Sequence, residues 1–357
     1  MKTKVTIQDI ADALNLSRIT VSKVLNNSPN VSAETRALVL KKAQEMNYKY
    51  ASAASRPNTQ APSQQIKSFA FLMHLTPDAF HIGSGIITQL EQEIRFKGYS
   101  LTLHSITDQD IDSLSLPPNL NKNQTAAIVC LELFHPEYSR LVCSLGIPVL
   151  FIDACIDFHS LDLNCPLLLM ENRSSTCQML SALCRKYSLV SMGFVGDCRH
   201  CISFRERYES FLLTAAEYGV ETGPYNLIDD DAFYSREGWI TEQLRKMEHM
   251  PQLFFCANDV LAMALIQSLA ELDIQVPGDV MVCGFDGIPS MNHLMNSLTT
   301  VHIPCGKLGT CAAQFLFRKI ENPDTLAGTI YLGTEVDFRE TAPCFSEVAA
   351  QPETPDT

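Results

Sequence analysis

No apolar run in this chain reaches the roughly 18 residues that a membrane-spanning helix needs, so a helical membrane protein is excluded. There is no phosphate-cradling glycine loop, no nucleophile elbow and no His-Glu pair at zinc-helix spacing, which removes common routes to catalysis. The start, Met1-Lys2-Thr3-Lys4, leads straight to the polar Gln8 and Asp9. No signal peptide is expected, and the cytoplasm is the default compartment. The end, Ser346 to Thr357, is acidic and proline-bearing with no heptad, so no tetramerising coiled coil is expected there. Basic residues are scarce too, 27 Lys and Arg against 40 Asp and Glu.

The resulting net charge of −13 is unevenly spread. Residues 1–60 hold nine Lys/Arg and four Asp/Glu, a net of +5, which leaves −18 on the remainder. A basic head on an acidic body suits a protein whose head alone meets phosphates. At 357 residues the chain is too long for one ordinary domain and fits two or three. Thirteen cysteines are scattered, and Cys130, Cys143, Cys256, Cys283 and Cys311 stand in apolar contexts where buried thiols are expected. Cys198-Arg199-His200-Cys201 lacks a second ligand pair at structural-zinc spacing, so no metal is expected, and no other cofactor is implied.

The informative stretch is Val5 to Asn26. Thr6 can N-cap a helix, with Asp9 as its capping-box partner, and Ile7, Ile10, Ala11 and Leu14 fall on one face. Asn15 tolerates the left-handed geometry that closes such a helix. Ser17 then caps a second helix with Val21, Val24 and Leu25 inward and Arg18, Ile19, Ser22 and Lys23 outward. A helix-turn-helix presents that part of its second helix to base edges in the major groove. Ser32 caps a third helix, roughly Ala33 to Met46, whose Leu38, Ala43 and Met46 can cover the first two.

This run, continued by Asn30-Val31-Ser32-Ala33-Glu34-Thr35-Arg36 and Met46-Asn47-Tyr48, resembles the DNA-binding headpiece of the LacI (lactose-repressor) family of regulators. The resemblance implies contacts with double-stranded operator DNA from Thr6, Ser17, Arg18, Ile19, Thr20, Ser22, Lys23, Asn26 and Tyr48. In that family the next segment is a hinge that folds on operator and pushes a leucine into a minor-groove step. Here Pro57 stands at the leucine's place, next to Arg56. Proline stops a helix and keeps the preceding residue extended. Either Pro57 wedges in leucine's stead or Arg56 lies in a narrow minor groove. The second is preferred, since proline at a helix end has less reach.

The expected domains are a helix-turn-helix headpiece at 1–50, a hinge and linker at 51–65, a two-lobed core at 66–341 and a flexible acidic tail at 342–357. From Ile66 continuous apolar strands alternate with helices, which means parallel sheets covered on both faces. One series runs from Ser68 to Asp153, with a loop-like Thr107 to Gln124 where a crossover helix is expected. A second begins at the strand Leu167 to Met170. The fold class is therefore an all-α head joined to an α/β core of two parallel-sheet lobes. The order resembles the periplasmic-binding-protein-like core of the same family.

Ligands of open parallel sheets sit at the carboxyl ends of the strands, and two facing lobes turn those ends into a cleft. The resemblance implies effector contacts there. Asp286, after the strand Val280 to Phe285, matches the family's cleft carboxylate; Arg207 matches its cleft arginine. Asn258 is matched too, although an Asn before a helix is as readily a plain N-cap. Phe233 matches an aromatic that packs on the ligand, against a loop aromatic in a local core, and Phe80-His81-Ile82 fills a loop with aromatic contacts in relatives. Glu171-Asn172 stands where relatives often have Asp-Asn; Asp153 reads as structural, and Arg205 and Glu206 as a solvated helix face.

The resulting reading is a homodimeric repressor that binds a pseudo-palindromic operator and responds to a small-molecule effector, a sugar. One alternative is a cytosolic sugar-binding module with weakened DNA binding. Another is an enzyme of sugar metabolism, but glycoside chemistry needs a carboxylate pair and only Asp286 is supported by a motif.

Overall fold

The computed structural model describes residues 6–25, 31–46, 67–74, 83–228, 236–287 and 296–344. The chain divides into two units, Met1–Gln65 and Ile66–Thr357.

In the first unit the local signals act as expected. Helices α1 (Ile7–Leu14), α2 (Arg18–Leu25) and α3 (Ala33–Glu45) follow in order. Thr6 and Asp9 make a complete capping box, with Asp9 N–H donating to Thr6 Oγ1 at 3.4 Å and Thr6 N–H to Asp9 Oδ2 at 2.7 Å. Asn15 closes α1 at φ 56°. Ser17 Oγ accepts from Thr20 N–H at 3.0 Å, and Ser32 Oγ from Thr35 N–H at 3.3 Å. The core is Ile10, Ala11, Val21, Val24, Val39 and Ala43. Leu38, expected in it, is 52% exposed, while Val39 is fully buried. Val39 and Ala43 share a face at i, i+4 spacing, and Leu38 lies one helical step away from it.

The second unit holds two sheets. The first is parallel and six-stranded, in the order β10-β5-β4-β3-β1-β2. Its strands are β1 (Ser68–His74), β2 (Ser100–Ile106), β3 (Thr125–Leu133), β4 (Val149–Ala154), β5 (Leu167–Met170) and β10 (Thr329–Leu332). The loop-like Thr107 to Gln124 holds one short helix, Asp108–Asp112, and turns. The second sheet is parallel β6 (Met192–Val195), β7 (Leu253–Cys256) and β8 (Met281–Cys283). An antiparallel pair, β9 (Thr300–His302) and β11 (Glu335–Asp337), stands beside it. All strand residues of β6, β7 and β8 are buried, as their unbroken apolar runs require.

One expectation is corrected. Leu167 to Met170, read as opening the second lobe, belongs to the first sheet, where it pairs with β4 and β10. Sheet membership is a long-range property, and an apolar run of four residues carries no sign of its neighbours. The chain therefore passes between the lobes three times. The passages are Glu171-Asn172 after β5, Ile303-Pro304 after β9, and Gly333-Thr334 between β10 and β11. Two of them are bonded together: Glu171 N–H donates to Leu332 O at 2.7 Å and Thr334 Oγ1 to Glu171 O at 2.6 Å.

Helices Gly83–Phe96 and Cys305–Glu321 pack on each other beside the first sheet. Glycine makes the approach possible. A Cβ at Gly309 would lie 2.6 Å from Ile86 O, and one at Gly85 would lie 2.9 Å from Cys305 Cβ. Among the described residues no helix is long and apolar enough to cross a membrane.

The head core yields a discriminating test. Val39→Ala should destabilise the head by about 2 kcal/mol, for two lost carbons and the space they leave. Leu38→Ala should stay within about 0.5 kcal/mol of wild type. Urea denaturation of the isolated substitutions, followed by head signals, measures both; equal losses would refute the assignment of faces.

Candidate functional site

The outer row of α2 is as the sequence implied. Ser17, Arg18, Ile19 and Lys23 are exposed, and Thr20 and Ser22 are half-buried. Ile19 is 68% exposed, unusual for its type and suited to apolar contact with a thymine methyl. Thr6 is engaged by Asp9 through both its backbone N–H and its hydroxyl, so its first duty is to cap α1. Asn26, Tyr48, Arg56 and Pro57 lie outside the described residues, as do Phe80, His81 and Phe233 of the cleft candidates.

In the second unit the centre is Arg207, on the helix Ile202–Tyr218, where it is 2% exposed. Its Nε donates to Asn172 Oδ1 at 2.9 Å and its Nη1 to Ala257 O at 2.6 Å. The same Nη1 stands 3.5 Å from Asp286 Oδ1, and the guanidinium lies 3.6 Å from the centroid of the Phe285 ring. Arginine suits this place because a flat fork can bond in its plane and stack on a ring at once. The structure thus joins two of the sequence candidates, Arg207 and Asp286, directly.

The third, Asn258, takes the cap role that was left open for it. Its side chain accepts from Leu261 N–H at 2.8 Å and starts the helix Asp259–Ala270. Asp259 next to it holds the neighbouring turn, accepting from Gly287 N–H at 2.9 Å and the Thr300 hydroxyl at 2.6 Å. That brace keeps Asp286 in an unusual backbone, φ 129°.

Two further acids share this feature. Glu132 and Asp153 have φ of 51° and 56° at the carboxyl ends of β3 and β4. They stand opposite each other, between the registered pairs Leu131–Ile152 and Leu133–Ala154. Non-glycine residues held at positive φ concentrate at functional sites, because only surroundings built for them tolerate the strain. Sequence reasoning passed over Glu132, although an acid inside an apolar strand was a visible signal.

Burial drives the electrostatics. It pushes the Asp286 carboxyl well above the ordinary carboxylate range; Arg207 opposes the shift, and Asp259, Glu132 and Asp153 add to it. Burial also raises Asp153, against hydrogen bonds from Ala154 and Ser203 and the charge of Arg207.

Glu206, read as solvated, is buried. Its Oε2 accepts from Asn172 Nδ2 at 2.8 Å and its Oε1 from the Tyr331 hydroxyl at 2.7 Å, with Arg173 at 3.4 Å. Asn172 of the passage after β5 and Tyr331 of β10 both reach it, partners that a helical period alone does not reveal. Arg205 is exposed, as expected. Glu171 caps the helix Arg173–Tyr187, accepting from the N–H groups of Arg173, Ser174 and Ser175 at 2.9, 2.7 and 3.1 Å. Cys201 starts its own helix by accepting from Phe204 N–H, and among the described residues no group of three ligating side chains could hold a metal.

Comparison with known proteins agrees with this architecture. Residues 6–50 match the family model "Bacterial regulatory proteins, lacI family", and residues 188–342 match "Periplasmic binding protein-like domain". A transcriptional repressor named PurR from Pasteurella multocida is 24% identical over 340 residues, 94% of this chain and 98% of that protein. The ribose operon repressor of Halalkalibacterium halodurans is 26% identical, covering 94% of this chain and 96% of its own length. Among solved structures, a lac repressor dimer bound to operator and the anti-inducer ONPF superposes with a TM-score of 0.63 at 19% identity, over 96% of this chain and 100% of that one. A complex of the regulator CelR with cellobiose gives 0.64 at 18%, over 94% and 99%. Over nearly its whole length the chain is thus similar to repressors of this kind, and its first 50 residues carry the match to the lacI family of bacterial regulatory proteins.

The Arg207 cluster sets two expectations. Arg207→Ala leaves Asp286 buried beside other acids without its guanidinium and should destabilise the core by about 3–5 kcal/mol. Arg207→Lys should recover only part of this, since an ammonium cannot bond through Nε and stack together. Chemical denaturation of the core measures both. The pH dependence follows from the raised carboxyl. Between the unfolded value near 3.8 and its higher folded value, Asp286 binds more protons folded than unfolded. Its contribution is present below the unfolded value and is lost as pH rises through the folded one. Asp286→Asn should therefore flatten the stability-versus-pH slope in that window; an unchanged slope would assign the effect elsewhere.

Proposed function

We propose that the chain is a cytoplasmic, homodimeric repressor that binds a pseudo-palindromic operator and releases or grips it according to a sugar bound between its core lobes. The observation that carries the DNA half is the exposed row Arg18, Ile19 and Lys23 on α2, within the residues that match the LacI headpiece. Arg18 is read as the base-contacting guanidinium, and Ser17, Thr20, Ser22 and Lys23 as partners of phosphates and base edges. Asn26, Tyr48, Arg56 and Pro57 complete the proposed DNA contacts.

The sugar half rests on Asp286, Glu132 and Asp153 at the carboxyl ends of the strands, on Arg207 of the helix Ile202–Tyr218 beside Asp286, and on what relatives hold. The neighbours of like fold include proteins described with bound cellobiose, ribose and D-xylulofuranose. Carboxylates beside an arginine suit a ring bearing vicinal hydroxyls, since each carboxylate accepts two of them. Asn258, Phe80, His81 and Phe233 are kept as outer contacts. A sugar shifts the protein only by its different affinity for the open and closed lobe arrangements. The role is regulatory rather than enzymatic, and no cofactor is assigned.

Operator selected from random duplex DNA tests the head. Arg18→Ala should lower affinity by about 1–3 kcal/mol and relax specificity at one position. Binding equal to wild type would remove α2 from the groove. For the cleft, sugar hydroxyls donating to Asp286 favour its ionised form, so binding should release a proton and weaken as pH falls. Calorimetry of sugar binding in buffers of different ionisation enthalpy reads the proton. No release in wild type, or normal affinity in Asp286→Asn, would take Asp286 out of the sugar site.

A further inference from the structure

A second site lies away from the cleft, at the amino ends of the first sheet's strands. A pocket of about 450 Å³ opens there between Ala126 and Val149 on the strand ends, Gly146, and Lys319 and Pro323 near the end of the helix Cys305–Glu321. Two cysteines line it, Cys143 and Cys165, with their sulfurs 3.7 Å apart. Cys143 is half-buried, not buried as its apolar context suggested. It is the last residue of the helix Pro136–Cys143, and Cys165 stands in the loop before β5. Neither sulfur is held within a strand or mid-helix.

We propose that Cys143 and Cys165 are a reversible redox pair, in which a hydroperoxide entering this pocket oxidises Cys143 and Cys165 then closes a disulfide. The two sulfurs already touch, and a disulfide needs them about 2.05 Å apart. Cys143 is followed by a turn and Cys165 lies at a bend before β5, so the movement falls at element ends and not inside a helix or strand. Cys143 is the more open of the two, Cys165 being buried, so a hydroperoxide in the pocket meets Cys143 first; contact with Cys165 also lowers the Cys143 thiol below its ordinary pKa. The same contact, with burial, holds the Cys165 thiol up, while the Lys319 charge draws it down.

In the first step the Cys143 thiolate attacks one peroxide oxygen. The O–O bond breaks, and the departing alkoxide takes a proton and leaves as alcohol or, from hydrogen peroxide, as water. Cys143 is now a neutral sulfenic acid, with the Cys165 sulfur beside it. Cys165 then attacks the Cys143 sulfur, the S–O bond breaks, and the hydroxyl leaves as water with the Cys165 proton. The sum is two thiols and one hydroperoxide giving one disulfide, one alcohol and one water, with two electrons passing from sulfur to oxygen. Cys130, also in this lobe, is fully buried in β3 and does not line the pocket. A transient pair of this kind is the form in which disulfides occur in reducing compartments.

The test uses the full-length reduced protein and hydrogen peroxide. After exposure, free thiols are blocked with N-ethylmaleimide under denaturing conditions and peptides are mapped by mass. The expected result is a crosslink between the peptides of Cys143 and Cys165, two hydrogens lighter than the sum, with two of the thirteen thiols lost and both restored by dithiothreitol. Cys165→Ser should leave a sulfenic acid on Cys143 that dimedone traps. If both residues still carry maleimide when Cys177 or Cys198 has oxidised, the proposal is overturned. A crosslink that forms only in unfolded protein, or that joins either cysteine to a different one, overturns it as well.

Discussion

A single buried guanidinium ties the second unit together. Arg207 bonds the passage after β5 through Asn172, the end of β7 through the Ala257 carbonyl, and the turn after β8 through Asp286. These segments come from three separate parts of the chain. Without the charge of Arg207, the acids around Asp286 would oppose one another with no counter-ion at the centre. Asp259 supports the arrangement from behind by fixing the turn that carries Asp286. A ligand that competes for Asp286 or Arg207 therefore acts on a joint rather than on a passive wall.

That joint lies beside the passages between lobes. Asp286 N–H donates to Val301 O at 2.9 Å and Ile303 N–H donates to Asp286 O at 3.0 Å, so the carboxylate's own backbone is bonded to the second passage. Asn172 belongs to the first passage, and Glu206 links it to Tyr331 on β10. The same residues that would meet a ligand thus border the segments about which the lobes would turn. Coupling between occupancy and lobe angle then needs no long relay, only a change at bonds already shared.

How much of this was legible depends on range. Caps, left-handed closures and the outward row of α2 depend on residues within four positions of each other, and Thr6, Asn15, Ser17 and Arg18 could be read directly. Leu38 and Val39 were confused because a face shifted by one step still looks amphipathic. The carboxylate and arginine of the core were found through a family pattern; their direct contact spans 79 positions and has no local trace. Glu206 was misread for the opposite reason, since its surroundings look like an ordinary solvated helix. The lobe membership of β5 failed because a sheet partner is chosen by topology, and β10, which flanks it, lies about half the chain away.

The late position of β10 has a consequence for how the protein is made. The first sheet begins at Ser68 but is not complete until Leu332, and the helix Cys305–Glu321 that covers its Gly83–Phe96 helix also comes late. During synthesis the three-helix head has all its own core residues by Ala43 and can fold as it leaves the ribosome. The core's first lobe, by contrast, must wait with an unpaired β5 edge and an uncovered helix face until nearly all the second lobe has emerged. Exposed edges and apolar faces held open for that long are targets for aggregation. The growing chain is accordingly a three-helix head attached to an unfinished body, and β10, far downstream of the head, completes the first lobe.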